Sequence, residues 1–344
     1  MRPAQAAVYD LPDPSAQVVG EDLHLQTHYS DTLVEIARNY GLGYEEIVRA
    51  NPKVDPWLPG EGTAIVIPGR HILPPGPRDG IVVNIPEHRL YYFPKPHKGQ
   101  TPTVVTYPVS IGKMDWHTPL GLTHVVSKQK NPVWNPPASV RAEHLANGDP
   151  LPSGSIGPGP DNPLGLFAMR LAVHPGDYLI HGTNNPLAVG MAVTHGCIRM
   201  YPEDVAAIFP TVAVGTKVYL INVPLKVAFV DGDLLLEAHA PVDAQGQTVE
   251  PVLGDFEQML NQVLGNTTTA VNWDIAVETL QKADGIPVLV GLQADVSSFA
   301  PAPAPTAAPA PSSAPGAPIP APIPTGPAAG SAAAPVPSAA PPAN

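Results

Sequence analysis

The sequence predicts a mainly β domain in the middle of the chain, with a small mixed α and β domain on either side. Between residues 80 and 224, short apolar runs rich in β-branched and aromatic residues alternate with turn residues, which is typical of strands. Apolar residues at helical spacing occur mainly outside that range, at 32–50 and 256–282. From 296 to 344 the chain holds no charged residue and consists largely of Ala, Pro and Ser.

The overall composition narrows the class of protein. The 344 residues carry a formal net charge of -12, and nucleic-acid-binding domains are typically basic, so nucleic acid is not an expected partner. No apolar run approaches the ~20 residues of a membrane-spanning helix, and we expect no transmembrane segment. The single cysteine, Cys197, excludes an internal disulfide, so cysteine content does not report the redox compartment.

Residues 1–20 are predicted to form an extended, Pro-containing segment. They lack the apolar core of a secretory signal peptide, but Ala4-Gln5-Ala6 has the small-x-small form of a signal-peptidase site. We expect a secreted protein whose signal peptide was removed or is not included in this sequence. An intact cytosolic start is the alternative.

Residues 21–70 are predicted to form a compact β-α-α-β unit. Thr32 and Glu35 fit a capping box, in which each side chain bonds the other residue's backbone N–H at the start of a helix. Gly41 and Gly43 end that helix. The predicted elements are a strand at 24–29, helices at 32–40 and 44–50, and a closing strand at 64–68.

The Pro- and Gly-rich stretch 71–79 is predicted to be a linker, and 80–224 the mainly β domain. Residues 128–164 lack periodicity and are dense in Pro, Gly, Asn and Asp, so we expect a long functional loop, such as a lid or a binding loop. Trp134 in that loop either packs against substrate or anchors the loop to the domain surface. Pro202, followed by two acidic residues, predicts a short helix soon after Cys197.

The end of the chain is predicted to consist of a small domain and a tail. Residues 225–295 predict an α+β domain, with a hairpin near 226–237 and amphipathic helices at 256–264 and 275–282. No chemical motif stands out in it. Segment 296–344 is too poor in large apolar residues to form a core, so we expect a disordered Pro/Ala-rich tail.

The lone cysteine and an upstream histidine are the strongest functional signal. Cys197 lies in the run Thr-His-Gly-Cys-Ile-Arg-Met at 194–200, and His181 precedes Gly182 sixteen residues before it. A thiol is a strong nucleophile only as thiolate, and a nearby imidazole is the usual base that forms it. We therefore predict acyl transfer with Cys197 as nucleophile and His181 as general base, its ring oriented by a group near Gly182. Alternatively, Cys197 is a small buried apolar residue and His181 a hydrogen-bonded strand residue.

The neighbours of Cys197 fit the same chemistry. Gly196 puts no side chain beside the nucleophile, so its N–H and that of Cys197 can form an oxyanion hole. In an extended chain, His195 and Arg199 share the face of Cys197. His195 is then a second base or a structural residue. Arg199 either binds a substrate carboxylate or forms an ion pair that supports the loop.

A zinc site is the main rival interpretation of these residues. It would use His174, His181, His195 and Cys197, which are all plausible ligand types. None of them shows the short paired spacing of known zinc motifs. We therefore expect neither a metal nor another cofactor.

These residues resemble the signature of the YkuD-type L,D-transpeptidase family, which is His-Gly followed by Ser/Thr-His-Gly-Cys-hydrophobic-Arg-hydrophobic. The match is complete, with His181-Gly182 and then the run 194–200. The resemblance implies a β-sandwich catalytic fold, with Gly182, Thr194 and Trp134 among the substrate-binding residues. The segments that resemble the periplasmic, lipoprotein-attaching branch of the family are 84–92, 134–136, 158–165 and the domain after 225.

The first small domain resembles a LysM module, which binds the N-acetylglucosamine-containing glycan of cell walls. The matching positions are 28–33, 36–37, 40–41, 51–52 and 65–68, with Ser30 where glycine is usual. The alternative is a spacer domain that no longer binds sugar.

The family resemblance implies a periplasmic enzyme that acts on peptidoglycan. Cys197 would attack the bond between meso-diaminopimelate and the terminal D-alanine of a tetrapeptide stem, and carbapenems would acylate it. The acceptor would be another diaminopimelate, giving a 3→3 cross-link, or the C-terminal lysine of an outer-membrane lipoprotein. Water as acceptor would make the protein an L,D-carboxypeptidase. The sequence is also compatible with an amidase acting on the same class of bond and with a non-catalytic wall-binding scaffold.

Overall fold

The computed structural model describes residues 7–113, 118–174, 177–243, 247–264 and 269–293. All described residues belong to one compact unit, which lies within residues 1–296. The predicted tail at 296–344 and the Ala4-Gln5-Ala6 stretch lie outside the described residues. Among the helices that are described, none is both long enough and apolar enough to cross a membrane.

The N-terminal part contains a β-α-α-β unit. In chain order the elements are β1 (Ala7–Asp10), β2 (Val18–Val19), β3 (Leu23–Gln26), α1 (Leu33–Asn39), α2 (Tyr44–Ala50), β4 (Ala64–Ile67) and β5 (His71–Ile72). β3 pairs antiparallel with β4, and both helices, which lie between these strands in the chain, pack on the two-stranded sheet around Leu33, Ile47 and Ile65. The Thr32 hydroxyl accepts a hydrogen bond from the Glu35 N–H at 3.1 Å, which caps α1 as its sequence predicts.

The central domain is mainly β. Its elements are β6 (Gly80–Asn84), β7 (Arg89–Phe93), β8 (Thr103–Pro108), β9 (Ile111–Gly112), β10 (Gly121–Lys130), α3 (Ala138–Ala146), β11 (Phe167–Leu171), β12 (Leu179–His181), β13 (Ala192–Thr194), β14 (Ile198–Arg199), α4 (Pro202–Ile208) and β15 (Lys217–Ile221). Helix α4 follows Cys197 and packs Val205 and Ile208 into the main core.

The strands of the central domain form one curled sheet around a shared core. Nine strands are hydrogen-bonded in the order β1-β8-β7-β6-β15-β10-β11-β12-β14. The long strand β10 belongs to both halves: residues 121–124 pair with β15, and residues 127–130 pair with β11. The register shifts between Val125 and Ser127, and such an irregularity bends a strand. The two halves therefore curl around a shared core without separating into two sheets.

Two segments differ from their predicted structure. A third, the N-terminal segment, contains β1, which pairs with β8 and forms an edge of the central sheet. The predicted linker 71–79 begins as a buried strand, because Ile72 packs against the C-terminal domain. The irregular stretch 128–164 contains helix α3. In each case an apolar or helix-forming run outweighs the neighbouring Pro and Gly residues.

The C-terminal domain is a four-stranded sheet covered by two helices. Its elements are β16 (Leu225–Val230), β17 (Asp233–Ala238), α5 (Leu253–Leu264), β18 (Thr269–Val271), α6 (Trp273–Lys282) and β19 (Val288–Gln293). The strand order is β16-β17-β19-β18. Phe256 and Leu280 bring the helices onto the sheet, where they close a separate small core.

Candidate active site

Four neighbouring strands place three of the candidate site residues, His181, Cys197 and Arg199, on one face of the central sheet. Residues directly opposite each other in paired strands project to the same face. The register across β10, β11, β12 and β14 therefore produces two rows of side chains. The first row is Gln129, Ala168, His181 and Arg199, and the second is Ser127, Arg170, Leu179 and Cys197, the last lying one residue before β14.

These two rows form the floor of a cavity of about 300 Å³. The segment around α3 covers it with mostly apolar side chains, including Trp134, Val140 and Leu164. Thr194 and His195 also line the cavity. Gly182 and Gly196 are not among the lining residues, although each is next in sequence to one of them. An apolar roof above a polar floor suits a peptide that carries a few charged groups.

His181 is built to act as a neutral base. Its Nδ1 lies 2.6 Å from the Gly182 carbonyl oxygen, and because a carbonyl only accepts, Nδ1 carries the proton. Nε2 is then left as the basic nitrogen. Burial, assisted by the positive charge of Arg199, lowers the pKa of His181 to about 3. The ring is therefore uncharged at neutral pH.

Cys197 is held as a neutral thiol. Burial raises the pKa of its thiol, although a hydrogen bond from the Leu179 backbone and the charge of Arg199 act in the opposite direction. The Sγ atom donates to the Asp177 carbonyl oxygen at 3.7 Å. Cys197 and His181 therefore share the cavity as an uncharged pair, not as a thiolate and an imidazolium.

Hydrogen bonds from two threonines orient the backbone around the thiol. The Thr118 hydroxyl donates to the Gly196 carbonyl oxygen at 3.1 Å, and the Thr194 hydroxyl donates to the Cys197 carbonyl oxygen at 2.6 Å. In a planar trans peptide, the next N–H points opposite to the carbonyl. The Cys197 N–H is therefore directed away from Thr118. Gly196 has a φ of 97°, a conformation that glycine adopts easily.

His195 is tied to helix α3. Its Nε2 lies 2.6 Å from Glu143 Oε2, and Lys113 bonds the other oxygen of the same carboxylate. These hydrogen bonds, the one from Lys113 first and that from His195 second, lower the pKa of Glu143 to about 2. The contact favours the structural role that the sequence left open for His195. Glu143 and Lys113 were not found from the sequence; the helix-forming residues after Pro137 are a signal that could have indicated α3.

Arg199 brings a buried positive charge to the site. Its backbone exchanges two hydrogen bonds with Ser110, at 3.0 and 2.8 Å, which fixes the strand end. Its Nε is buried and has no hydrogen-bond partner among the described residues. Burial lowers the pKa of Arg199, because a buried cation lacks the solvation of water. A guanidinium in this state is a strong site for an anionic ligand group.

The zinc interpretation is not supported by this geometry. In the ranges that the structure describes, the group of side chains placed to share an ion is His71, Glu87 and Glu237, remote in sequence from the cysteine motif. The ammonium of Lys226 already lies 2.8 Å from Glu87 and 2.6 Å from Glu237. These carboxylates therefore have a partner of their own.

Comparison with known proteins identifies the family. A model of the YkuD L,D-transpeptidase catalytic domain matches residues 78–220. The probable L,D-transpeptidase YcfS of Escherichia coli (strain K12) is 43% identical over 244 residues, which are 70% of this chain and 75% of that protein. The probable L,D-transpeptidase YbiS of the same strain is 36% identical over 294 residues, 83% of this chain and 92% of that protein.

Solved structures give a weaker likeness. An L,D-transpeptidase from Mycobacterium tuberculosis H37Rv is 19% identical, with a TM-score of 0.30 over 48% of this chain and 63% of that one, which is too low to support an argument. The two Escherichia coli relatives assign the family, because their sequence identity and the share of each chain that is matched are both high. The protein belongs to the L,D-transpeptidase family with a YkuD catalytic domain.

Proposed function

We propose that the protein transfers peptidoglycan stem peptides from D-alanine to an acceptor amine through a thioester on Cys197. The observation that carries this proposal is the shared cavity of Cys197 and His181, with the ring of His181 fixed by the Gly182 carbonyl. This arrangement leaves one basic nitrogen, on a neutral ring, in the same cavity as the only thiol of the chain.

In the first half-reaction, Cys197 Sγ attacks the carbonyl carbon between meso-diaminopimelate and the terminal D-alanine, and its proton passes to His181 Nε2. The tetrahedral intermediate then collapses, the C–N bond breaks, and the same proton moves to the departing amine of D-alanine. Burial and the charge of Arg199, which keep the ring neutral at rest, disfavour the first proton transfer and favour this second one. A thioester on Cys197 remains.

In the second half-reaction, an acceptor amine attacks the thioester. His181 removes a proton from that amine, the C–S bond breaks, and Cys197 recovers its proton. Either a second diaminopimelate or the C-terminal lysine of an outer-membrane lipoprotein fits as acceptor, and water gives hydrolysis. The N–H groups of Gly196 and Cys197 stabilise the negative oxygen in both halves.

The remaining site residues bind the donor or hold the two catalytic residues in place. Arg199 binds the carboxylate of the leaving D-alanine, because its buried Nε has no partner among the described residues and its side chain lines the cavity that holds the thiol. Trp134 packs on the stem from the cavity roof. Thr194 and Gly182 hold Cys197 and His181 in place through the hydrogen bonds described above.

We also propose a periplasmic location and a glycan-binding role for the LysM-like unit at 21–70. Support for the second role comes from the β-α-α-β order and from the exposed side chains of Tyr29, Trp57 and Leu58 on that unit. Exposed aromatic and apolar side chains are a usual surface for stacking against sugar rings.

The proposed mechanism is tested by acylation and by product analysis. The protein is incubated with a carbapenem, and its intact mass is measured beside that of Cys197→Ala. We expect one adduct on the wild type and none on the variant. A diaminopimelate-containing tetrapeptide, supplied with and without an acceptor amine, then distinguishes transfer from hydrolysis. Absence of both the adduct and D-alanine release on folded protein would contradict the proposal.

A further inference from the structure

The second row of the cavity floor presents three kinds of chemistry in a fixed order. Cys197 supplies the thiol, Leu179 on the neighbouring strand is apolar, and Arg170 on the next strand is charged. Arg170 Nη2 is paired with Asp177 Oδ1 at 2.6 Å. All four residues line the cavity. The proposed mechanism gives no role to Leu179, Arg170 or Asp177.

The pair of Arg170 and Asp177 is open to an exchange of partners. Their side chains are 47% and 72% exposed, and an ion pair that is exposed to water contributes little to stability. Separating the two charges is therefore easy if a ligand offers each of them a better partner. A guanidinium beside a carboxylate is complementary to a zwitterion, because the first binds its carboxylate and the second its ammonium.

The proposed donor carries such a zwitterion. The side chain of meso-diaminopimelate ends in a D-configured carbon that bears both an ammonium and a carboxylate. This carbon is joined to the attacked carbonyl by the L-configured carbon and three methylene groups. At C–C bonds of ~1.5 Å, the extended span is about 6 Å.

The spacing of the row suits that span. Arg170 and Cys197 lie two strands apart, and neighbouring strands are ~4.8 Å apart, so their backbones are separated by about 10 Å. The reach of the arginine side chain covers the difference. Leu179 lies midway, where the methylene groups of the donor would pass, and apolar contact there favours them over water.

We propose that Arg170 and Asp177 determine donor specificity by binding the zwitterionic end of the diaminopimelate side chain while Leu179 contacts its methylene groups. This inference rests on the proposed function, since it names how the same site selects its acyl donor. The donor is thereby held by charges on both sides of the attacked carbonyl, with Arg199 on the D-alanine side.

The test compares two donors that differ in one group. The first is the tetrapeptide with meso-diaminopimelate, and the second carries a carboxamide in place of the distal carboxylate. Values of kcat/KM are measured for the wild type and for Arg170→Gln. Lys282→Gln is the matched control, because it breaks another exposed ion pair, Lys282 with Glu278 at 2.7 Å, on the C-terminal domain.

We expect the wild type and Lys282→Gln to prefer the carboxylate donor by about tenfold or more, since a charge-assisted bidentate contact is lost with the amide. Arg170→Gln should lower kcat/KM for the carboxylate donor, mainly through KM, and bring the two donors within about twofold. A second pair of donors tests Asp177: one has the distal ammonium, and in the other a hydrogen atom replaces it. The wild type should prefer the donor with the ammonium, and Asp177→Asn should lose that preference. A structural role alone would reduce all donors equally.

Retention of the wild-type preference by Arg170→Gln, or the absence of a preference in the wild type, would overturn the inference. Failure of the proposed function looks different. In that case the wild type would release D-alanine from neither donor and form no carbapenem adduct, and both proposals would fall together. Thermal unfolding of each variant checks that the comparison is made on folded protein.

Discussion

At the scale of single residues, the site is built around two groups that are uncharged at rest. Burial raises the pKa of Cys197 and lowers that of His181 to about 3, so the thiolate forms only when a proton moves during attack. Alkylation of Cys197 by iodoacetamide should therefore rise with pH beyond about 8.5, where an ordinary thiol is half ionised. The rate is measured by intact mass.

The same thiol in the denatured chain is the control for this prediction. It should follow the ordinary thiol titration, with faster alkylation at neutral pH than in the folded protein. A folded-state rate that levels off near neutral pH would contradict the prediction, because it would indicate a preformed thiolate paired with imidazolium.

Asp204 on α4 is a second residue whose environment opposes its charge. Its Oδ2 is buried without a partner among the described residues, and burial, followed by the charge of Glu203, raises its pKa to about 7. The unfolded chain loses this proton near pH ~3.9, so stability is lost as the pH rises from there through 7. Asp204→Asn should be more stable than the wild type, by roughly 2–4 kcal/mol above pH 7.

Urea unfolding at a series of pH values measures this difference. It should be near zero below pH ~4, grow up to pH ~7 and then stay constant. Asp255→Asn, at an exposed acidic position in the first turn of α5, is measured beside it as the matched control. A difference for Asp204→Asn that is the same at every pH would contradict the assigned pKa.

At the scale of elements, helix α2 of the β-α-α-β unit is docked on the segment that leads to the cysteine motif. The Tyr44 N–H donates to the Val189 carbonyl oxygen at 2.9 Å. Two glycines permit this approach, because a Cβ on Gly190 would lie 2.4 Å from the Gly43 Cα. Real Cβ atoms do not come so close, so a side chain at Gly190 must push the helix away.

Gly190→Ala should therefore separate the β-α-α-β unit from the catalytic domain and destabilise the protein by about 3 kcal/mol or more. Gly215→Ala is a matched control. Gly190 has a φ of 90° and Gly215 a φ of 88°, but a Cβ on Gly215 would meet nothing within 4 Å. The control should thus show only the backbone cost of about 1–2 kcal/mol. Chemical denaturation measures the free energy of unfolding of both variants. If Gly190→Ala and Gly215→Ala lose the same amount, the docking contact contributes no stability.

At the scale of the whole molecule, a buried group of charges joins the catalytic domain, the β5 segment and the C-terminal domain. Lys226 on β16 contacts Glu87, Glu237 and the Ile72 carbonyl oxygen, at 2.8, 2.6 and 2.6 Å. The side chains of the three charged residues are at most 1% exposed. Charges so deeply buried are tolerated only while each one is paired.

Lys226→Met should destabilise the protein by about 3–5 kcal/mol, because it leaves two carboxylates buried without their cation. The triple variant Lys226→Met, Glu87→Gln, Glu237→Gln removes all three charges and should recover most of that loss. Urea unfolding of both variants measures the difference. A triple variant as unstable as Lys226→Met would show that side-chain packing, not charge, accounts for the effect.

Prediction from the sequence was most accurate where the signal is local. The cap of α1 by Thr32 and the hairpin of β16 and β17 depend on residues a few positions apart, and both are present in the structure. The chemistry of Cys197 and His181 was visible as a motif, and their catalytic roles stay predictions for the experiments above. Pairing of β1 with β8 was not predictable, because neighbouring residues carry no signal for a partner far along the chain.

The sequence by itself determined the residue types that this protein brings to acyl transfer, the family that they indicate and the mainly β character of the central domain. Only the tertiary structure decided that β10 joins the two halves into one curled sheet and that α2 is docked near the site. It also decided that Arg170, Asp177 and Glu143 stand beside Cys197 and His195. The physical reason is that motif and periodicity are properties of adjacent residues, whereas register, burial and the electrostatic surroundings of a thiol depend on strands brought together from distant parts of the chain.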